Sequence, residues 1–285
     1  VNTTYSATVM NAFGCTYNLT QAINMSTACC SSTITPVNTV AAGASTITGS
    51  KALNANLTLP NNSTLTLVGE LLIAKNVKIT VPNSALLRIE GAHLYACGAD
   101  MWQGIVVQNG GRILCRTGAR DNLIEDAITA VEVTNHSTLN NNLDITNTIF
   151  NKNYVSIAIA NYFVNTPNYP FKITKCVFTS RNLPYSSTHW VQSGTGFPST
   201  GISGNLRNTS AALLGGYSAP FMQGYASANL KNPYSGQTSN EAIQLNNVGN
   251  GANGIVIGDP SLANDYNVFD NHTRCINALN SNLTS

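Results

Sequence analysis

Four short phrases of the chain end on an asparagine at a constant step. KITVPN closes on Asn83, GIVVQN on Asn109, AVEVTN on Asn135 and SIAIAN on Asn161, each 26 residues after the one before. The paired apolar positions inside the phrases keep that step: Ile79/Val81, Ile105/Val107, Val131/Val133 and Ile157/Ile159, with Leu53/Ala55 as the expected first pair. Runs this short, alternating and broken by Asn, Gly and Pro suit strands rather than helices.

Two further strands keep the rhythm. One runs from Leu87/Ile89 to Ile113/Cys115, with Leu139 expected to continue it, and another from Ile124 to Phe150 before slipping to a step of 28 at Phe178. Phe171 and Ile173 have slipped equally from Leu143 and Ile145, which places two extra residues in the loop NTPNYP. Three short strands per period of about 26 residues predict an all-β chain folded as a right-handed parallel β-helix, a single-stranded solenoid. In such a fold equivalent strands stack about 4.8 Å apart and inward residues form columns. Asparagine tolerates the left-handed backbone of a sharp turn, and stacked amides donate to one another. Asn83, Asn109, Asn135, Asn161 and, in RCINALN, Asn280 are therefore expected to form a buried structural ladder.

The period organises the chain into four parts. Residues 1–40 lack it and are expected to cap the first turn of the helix or to contact another chain. Residues 41–180 carry it, residues 181–240 interrupt it, and residues 241–285 resume it in NGIVIGD (Ile255, Ile257) and RCINALN (Ile276, Ala278). Phe269 stands seven residues before Ile276, as Phe150 does before Ile157. The last strand is expected to leave an open end, where the polypeptide continues or another chain packs.

Only 9% of residues are charged and the net charge is +2, against about 25% charged in ordinary proteins. A nucleic-acid binder needs a basic stripe to displace counterions, and none is visible. Nor is any run of about 20 apolar residues that would span a bilayer, so the chain reads as soluble and extracellular. The seven cysteines form no paired C-x-x-C motif for zinc. They suggest disulfides in an oxidising compartment, Cys15 with Cys29 or Cys30 and Cys97 with Cys115 being the candidates, although spacing alone does not assign pairs.

Residues for chemistry are sparse. Asp100 and Asp126 lie one period apart with Lys152 next in the column, a weak candidate for a catalytic or Ca²⁺ site. A turn column in which Lys152 offsets two carboxylates is the simpler reading. Asp259, Asp265 and Asp270 form a second acidic stretch without the Gly and Glu of a dedicated calcium loop. His93, His136, His189 and His272 show no metal spacing and read as surface residues. No cofactor is expected beyond a possible calcium ion. The interruption gathers Tyr185, Trp190, Phe197, Tyr217, Phe221, Tyr225 and Tyr234 among Gly, Ser and Asn. Such rings suit a protein interface or sugar stacking, or simply pin the segment against the body of the fold.

From LYACGADMWQGIVVQNGG through NLIEDAITAVEV to LDITNTIFNKNYVSIAI the sequence resembles the β-helix regions of large secreted surface proteins of Bacteroidota, typically exported by the type IX secretion system. The phrase from Cys97 to Ile105 is the most specific element. The resemblance implies a non-enzymatic adhesin or structural component of a surface appendage. Its partners would be other copies or parts of the same large protein, or a cell-surface or glycan target, with no nucleic acid and no membrane insertion. The alternative is a polysaccharide lyase, hydrolase or carbohydrate-binding protein working near Asp100 and Asp126.

Overall fold

The computed structural model describes residues 2–10, 16–24, 35–37, 39–116, 122–135, 143–162, 171–183, 226–249, 257–258 and 267–281, with backbone only before residue 35. Among these residues every regular element is a β-strand, and no helix is present that could cross a membrane. Strands β1 (Asn2–Met10) and β2 (Thr16–Asn24) pair antiparallel as a sheet of their own. Residues 1–40 thus begin as an antiparallel pair, whereas all the named strands that follow pair in parallel.

One parallel sheet is made from β3 (Ala44–Ile47), β4 (Ser50–Leu53), β6 (Thr64–Ile73), β8 (Leu86–Ala96), β10 (Arg112–Arg116), β11 (Asn122–Glu125), β13 (Leu143–Thr146), β14 (Thr148–Asn151), β16 (Phe171–Thr174), β17 (Val177–Thr179) and β19 (Val268–Phe269). The other stacks β5 (Leu57–Thr58), β7 (Lys78–Val81), β9 (Trp102–Val107), β12 (Ala127–Thr134), β15 (Val155–Tyr162), β18 (Glu241–Val248) and β20 (Arg274–Leu279) in chain order. Successive periods therefore lie side by side, because each repeats the alternation that aims the same positions inward.

The registers draw the columns. Leu57, Ile79, Ile105, Val131, Ile157, Ile243 and Ile276 are neighbours across the second sheet. All but Ile276 are buried, and they join Leu65, Leu87, Ile113 and Leu143 of the first sheet in one core. A third column, Ile124, Phe150, Phe178 and Phe269, ends in parallel-stacked rings with centroids 5.1 and 5.0 Å apart.

Several registers differ from those expected. Leu53 pairs with Ile73 in the first sheet, and Ala55 is exposed in the turn that follows, so the column partner of Ile79 is Leu57, 22 residues earlier. The step lengthens within one period. It is 22 between Leu67 and Ile89, 23 between Ile73 and Ala96 after a bulge at Gly69 and Gly91, and 26 between Lys78 and Gly104. The last three residues enter between Cys97 and Gln103, a turn with work of its own. The partner of Ile113 is Leu143, four residues past Leu139, which lies outside the described residues. Ile257 bridges Ile173 in the first sheet rather than following Ile159. The position after Ile157/Ile159 belongs to Ile243/Leu245 of EAIQLNN, a phrase that also ends in asparagine.

Gly104 marks a close approach. Its φ is 111°, and a Cβ there would sit 1.6 Å from the carbonyl oxygen of Thr129, where the register between β9 and β12 shifts. Only glycine fits.

Candidate functional site

Where the interrupting segment returns to the sheets, ionisable side chains from separate parts of the chain meet. Glu125 and Asn151 are register partners one period apart, and the residues that follow them, Asp126 and Lys152, both adopt left-handed backbone at φ 63° and 53°. Around this turn Glu125 meets His93 of β8, Asp126 meets Lys231 of the returning segment, and Lys152 reaches both carboxylates. Histidine 93 is 5% exposed and Asp126 2%.

The contacts form one network of hydrogen bonds and ion pairs. Glu125 Oε1 lies 2.8 Å from His93 Nε2, and its Oε2 accepts from Asn151 Nδ2 at 2.9 Å and from Lys152 Nζ at 3.2 Å. Lys152 Nζ is also 3.5 Å from Asp126 Oδ1, whose other oxygen lies 2.8 Å from Lys231 Nζ. Trp102, fully buried, donates its indole N–H to the Glu125 carbonyl at 2.9 Å. Burial by itself would raise the Glu125 carboxyl, but the His93 hydrogen bond and the Lys152 charge prevail and hold it down at about 2. For Asp126 burial and the neighbouring Glu125 charge win, and its carboxyl is raised despite Lys152 and Lys231. Burial opposes the Lys152 ammonium, yet the two carboxylates outweigh it and raise its value.

The lengthened turn after Ala96 receives the returning chain. Lys231 Nζ donates to the Ala96 carbonyl at 2.7 Å, Asn232 N donates to Ala99 O at 2.9 Å, and Met101 N donates to Asn232 O at 2.8 Å. Tyr234 stacks on Tyr154 with centroids 3.6 Å apart and planes 4° from parallel. On the way out, Asn182 N donates to Ala226 O and Ala228 N to Ser180 O, so the two ends of the segment are bonded to one another. Arg181 binds Asp270 through Nε at 2.8 Å and through a second guanidinium nitrogen at 3.0 Å. The phrase from Cys97 to Ile105 owes its extra residues to this docking.

The residues singled out in the sequence are placed unevenly. Asp100 forms its ion pair with Lys75 at 3.2 Å, while its backbone bridges Asn232, and among the described residues no cluster of His, Cys, Asp and Glu is arranged for a metal. The carboxylate that Lys152 shares with Asp126 is therefore Glu125, one residue along. His93 is a buried member of the network rather than a surface residue, and His272 is partly buried with Nδ1 2.8 Å from Asp270 O, its value lowered by burial. No sequence spacing marks His93, since its register with Leu123 depends on the bulge at Gly91.

The asparagine ladder exists in part and lies in solvent. Asn161 Nδ2 donates to Asn135 Oδ1 at 3.1 Å, and Asn247 Nδ2, the member supplied by EAIQLNN, donates to Asn161 Oδ1 at 3.0 Å. These three and Asn280 have left-handed backbone, and all four are exposed, not buried as expected. At the earlier two positions the left-handed residue comes one later, at Ser84 and Gly110, leaving Asn83 and Asn109 exposed. A Cβ on Gly110 would lie 2.0 Å from Asn83 Oδ1. Buried amides act elsewhere: Asn122 Oδ1 accepts from Gly91 N at 2.7 Å, and Asn153 Oδ1 from Ala127 N at 2.9 Å.

Cys115 is a free buried thiol, pushed up to about 12 chiefly by burial, so the Cys97–Cys115 pair is not formed. Its side chain fills the inward column between Ile89 and Ile145. Cys97 is not among the free thiols. Cys15, Cys29, Cys30, Tyr185, Trp190, Phe197, Tyr217, Phe221, Tyr225, Asp259 and Asp265 lie outside the described residues.

Compared with known protein families, curated proteins and solved structures, the chain matches none. In the network two ammonium groups face two carboxylates, and Asp126 Oδ1, with Lys152 Nζ 3.5 Å away, is a buried oxygen without a hydrogen bond.

Proposed function

We propose that the two parallel sheets belong to a right-handed β-helix that serves as a rigid, non-enzymatic segment of a secreted cell-surface assembly, exposing the 181–240 segment for adhesive or structural contacts. The observation that carries this reading is the anchoring of that segment. Its two ends are hydrogen-bonded together and clamped by Arg181–Asp270 and Lys231–Asp126. A display element needs a fixed base, and buried paired charges supply geometric definition more than net stability. Right-handedness follows the rule for parallel crossovers.

The sparse charge supports an extracellular setting, and the resemblance of the phrase from Cys97 to Ile105 to secreted surface proteins of Bacteroidota points the same way. Export by the type IX route is part of the proposal. Calcium has no role in it, and the polysaccharide-enzyme alternative is disfavoured by the separation of Asp100 and Asp126 into different ion pairs.

The test is imaging of the purified chain together with an adhesion assay. Elongated particles are expected, and replacing 185–225 by a short glycine linker should abolish attachment to cells or to partner protein without changing the melting temperature. Robust polysaccharide cleavage, lost in Asp126→Asn at unchanged melting temperature, would overturn the non-enzymatic reading.

A further inference from the structure

A second site lies on the outer face of the seven-stranded sheet. The registers place Glu132, Ala158 and Gln244 in one outward row, and Thr134, Ala160 and Asn246 in the next. The middle strand thus contributes only methyl groups, while its two neighbours carry longer polar side chains. The result is a trough of about 310 Å³ that runs along β15 and over β18 to Asn277 and Leu279 of β20, at the small end of the roughly 300–1,000 Å³ of ligand sites. The polar side chains of β12 and β18 that flank the floor stand two strand spacings apart, about 9.6 Å.

We propose that this trough binds a short stretch of an uncharged glycan, and so supplies a target class for the adhesive role proposed above, on which it rests. The backbone groups of β15 are engaged in the sheet on both sides, so an added peptide strand has no main chain to pair with. Recognition must come from side chains. The floor of Ala158 and Ala160 suits the C–H face of a pyranose ring. Glu132 and Thr134 on one wall, and the amides of Gln244 and Asn246 on the other, suit hydroxyl groups, which both donate and accept. Among the described residues none of these four polar side chains has an intramolecular hydrogen bond, and the trough lining includes no Lys or Arg. Absence of a cation and presence of Glu132 disfavour phosphate, sulfate or uronate ligands.

The site is built before a ligand arrives. Beneath it Val131, Val133, Ile157, Ile159, Ile243 and Leu245 are fully buried. At its end the Asn135–Asn161–Asn247 ladder begins one residue past Thr134, Ala160 and Asn246 and ties the three strands together. Such fixed spacing lowers the ordering cost of binding.

The experiment titrates the whole chain with cello-oligosaccharide, chito-oligosaccharide and oligogalacturonate by calorimetry or ligand-observed NMR. At least one neutral oligosaccharide should bind with Kd of about 1 mM or tighter, and oligogalacturonate at least about tenfold more weakly. Ala158→Ile, which fills the floor at an outward position, should weaken binding at least about tenfold with the melting temperature unchanged. Glu132→Gln should reduce the discrimination against the uronate. No binding by either neutral probe overturns the trough, as does binding that Ala158→Ile leaves intact. Concentration-dependent dimerisation abolished by Ala158→Ile, without glycan binding, would assign the trough to a second copy instead. None of these outcomes touches the imaging and deletion tests of the preceding proposal, so the two can fail separately.

Discussion

Replacing Lys152 by methionine isolates the network beneath the returning segment. Methionine keeps the unbranched stem and removes the charge. Lys152 Nζ sits 3.2 Å from Glu125 Oε2 and 3.5 Å from Asp126 Oδ1, and at an effective dielectric constant of about 20 each contact is worth about 5 kcal/mol of attraction. Desolvation of the ammonium offsets much of that sum. What remains in the variant is two adjacent carboxyl groups, both nearly out of water and holding only Lys231 on Asp126 and His93 and Asn151 on Glu125, and breaking a buried pair in this way costs about 3–5 kcal/mol. At about 2 °C per kcal/mol for a chain of this size, the melting temperature should fall by about 6–10 °C at pH 7. The pH dependence separates electrostatics from packing. In the native protein Glu125 is held at about 2, below its ordinary 4.5, so its contribution is complete above that ordinary value and is lost as pH falls toward 2. Asp126 is raised already, and without Lys152 it is raised further. A carboxyl raised in the folded state is a penalty at high pH, relieved as pH falls through its folded value. The deficit of Lys152→Met should therefore shrink as pH is lowered from 7. Circular-dichroism melts over a series of falling pH values check both statements. A variant melting within 2 °C of the native protein at pH 7, or a deficit constant with pH, would refute the network.

Gly104→Ala should lower the urea midpoint by the equivalent of about 3 kcal/mol, since the new methyl group meets the Thr129 carbonyl at 1.6 Å and the backbone is left-handed. Asn161→Leu should cost about 2–3 kcal/mol from lost amide bonds and left-handed strain, whereas Asn109→Leu should stay within about 0.5 kcal/mol; thermal melts distinguish them. Phe178→Ala removes the middle ring of the Phe150–Phe178–Phe269 stack and should cost about 3–5 kcal/mol by denaturant titration.

The parallel pairing of the second sheet from Lys78 to Tyr162 was legible because a constant step repeats the same inward residues, and alternation is a local property of the chain. The all-β character and the columns through Ile105, Val131 and Ile157 follow from that alone. Where the step changes, legibility ends. Leu57 takes the place expected of Leu53, and EAIQLNN stands outside the step, because turns and bulges absorb residues without altering the pattern of the strands beside them. Of the candidate site, Asp126 and Lys152 were visible as a column, but Glu125, His93 and Lys231 were not.

The sequence by itself determined which positions face inward where the step of 26 holds, as at Ile79, Ile105, Val131 and Ile157, since strand alternation needs no knowledge of the neighbours. Only the tertiary structure decided which charges meet. Lys231 reaches Asp126 across 105 residues of chain, and a contact closed by a long excursion has no periodic signature. The same holds for the asparagines: their identity favours a left-handed turn, while exposure and partner depend on whether the next residue, as at Gly110, takes the turn instead.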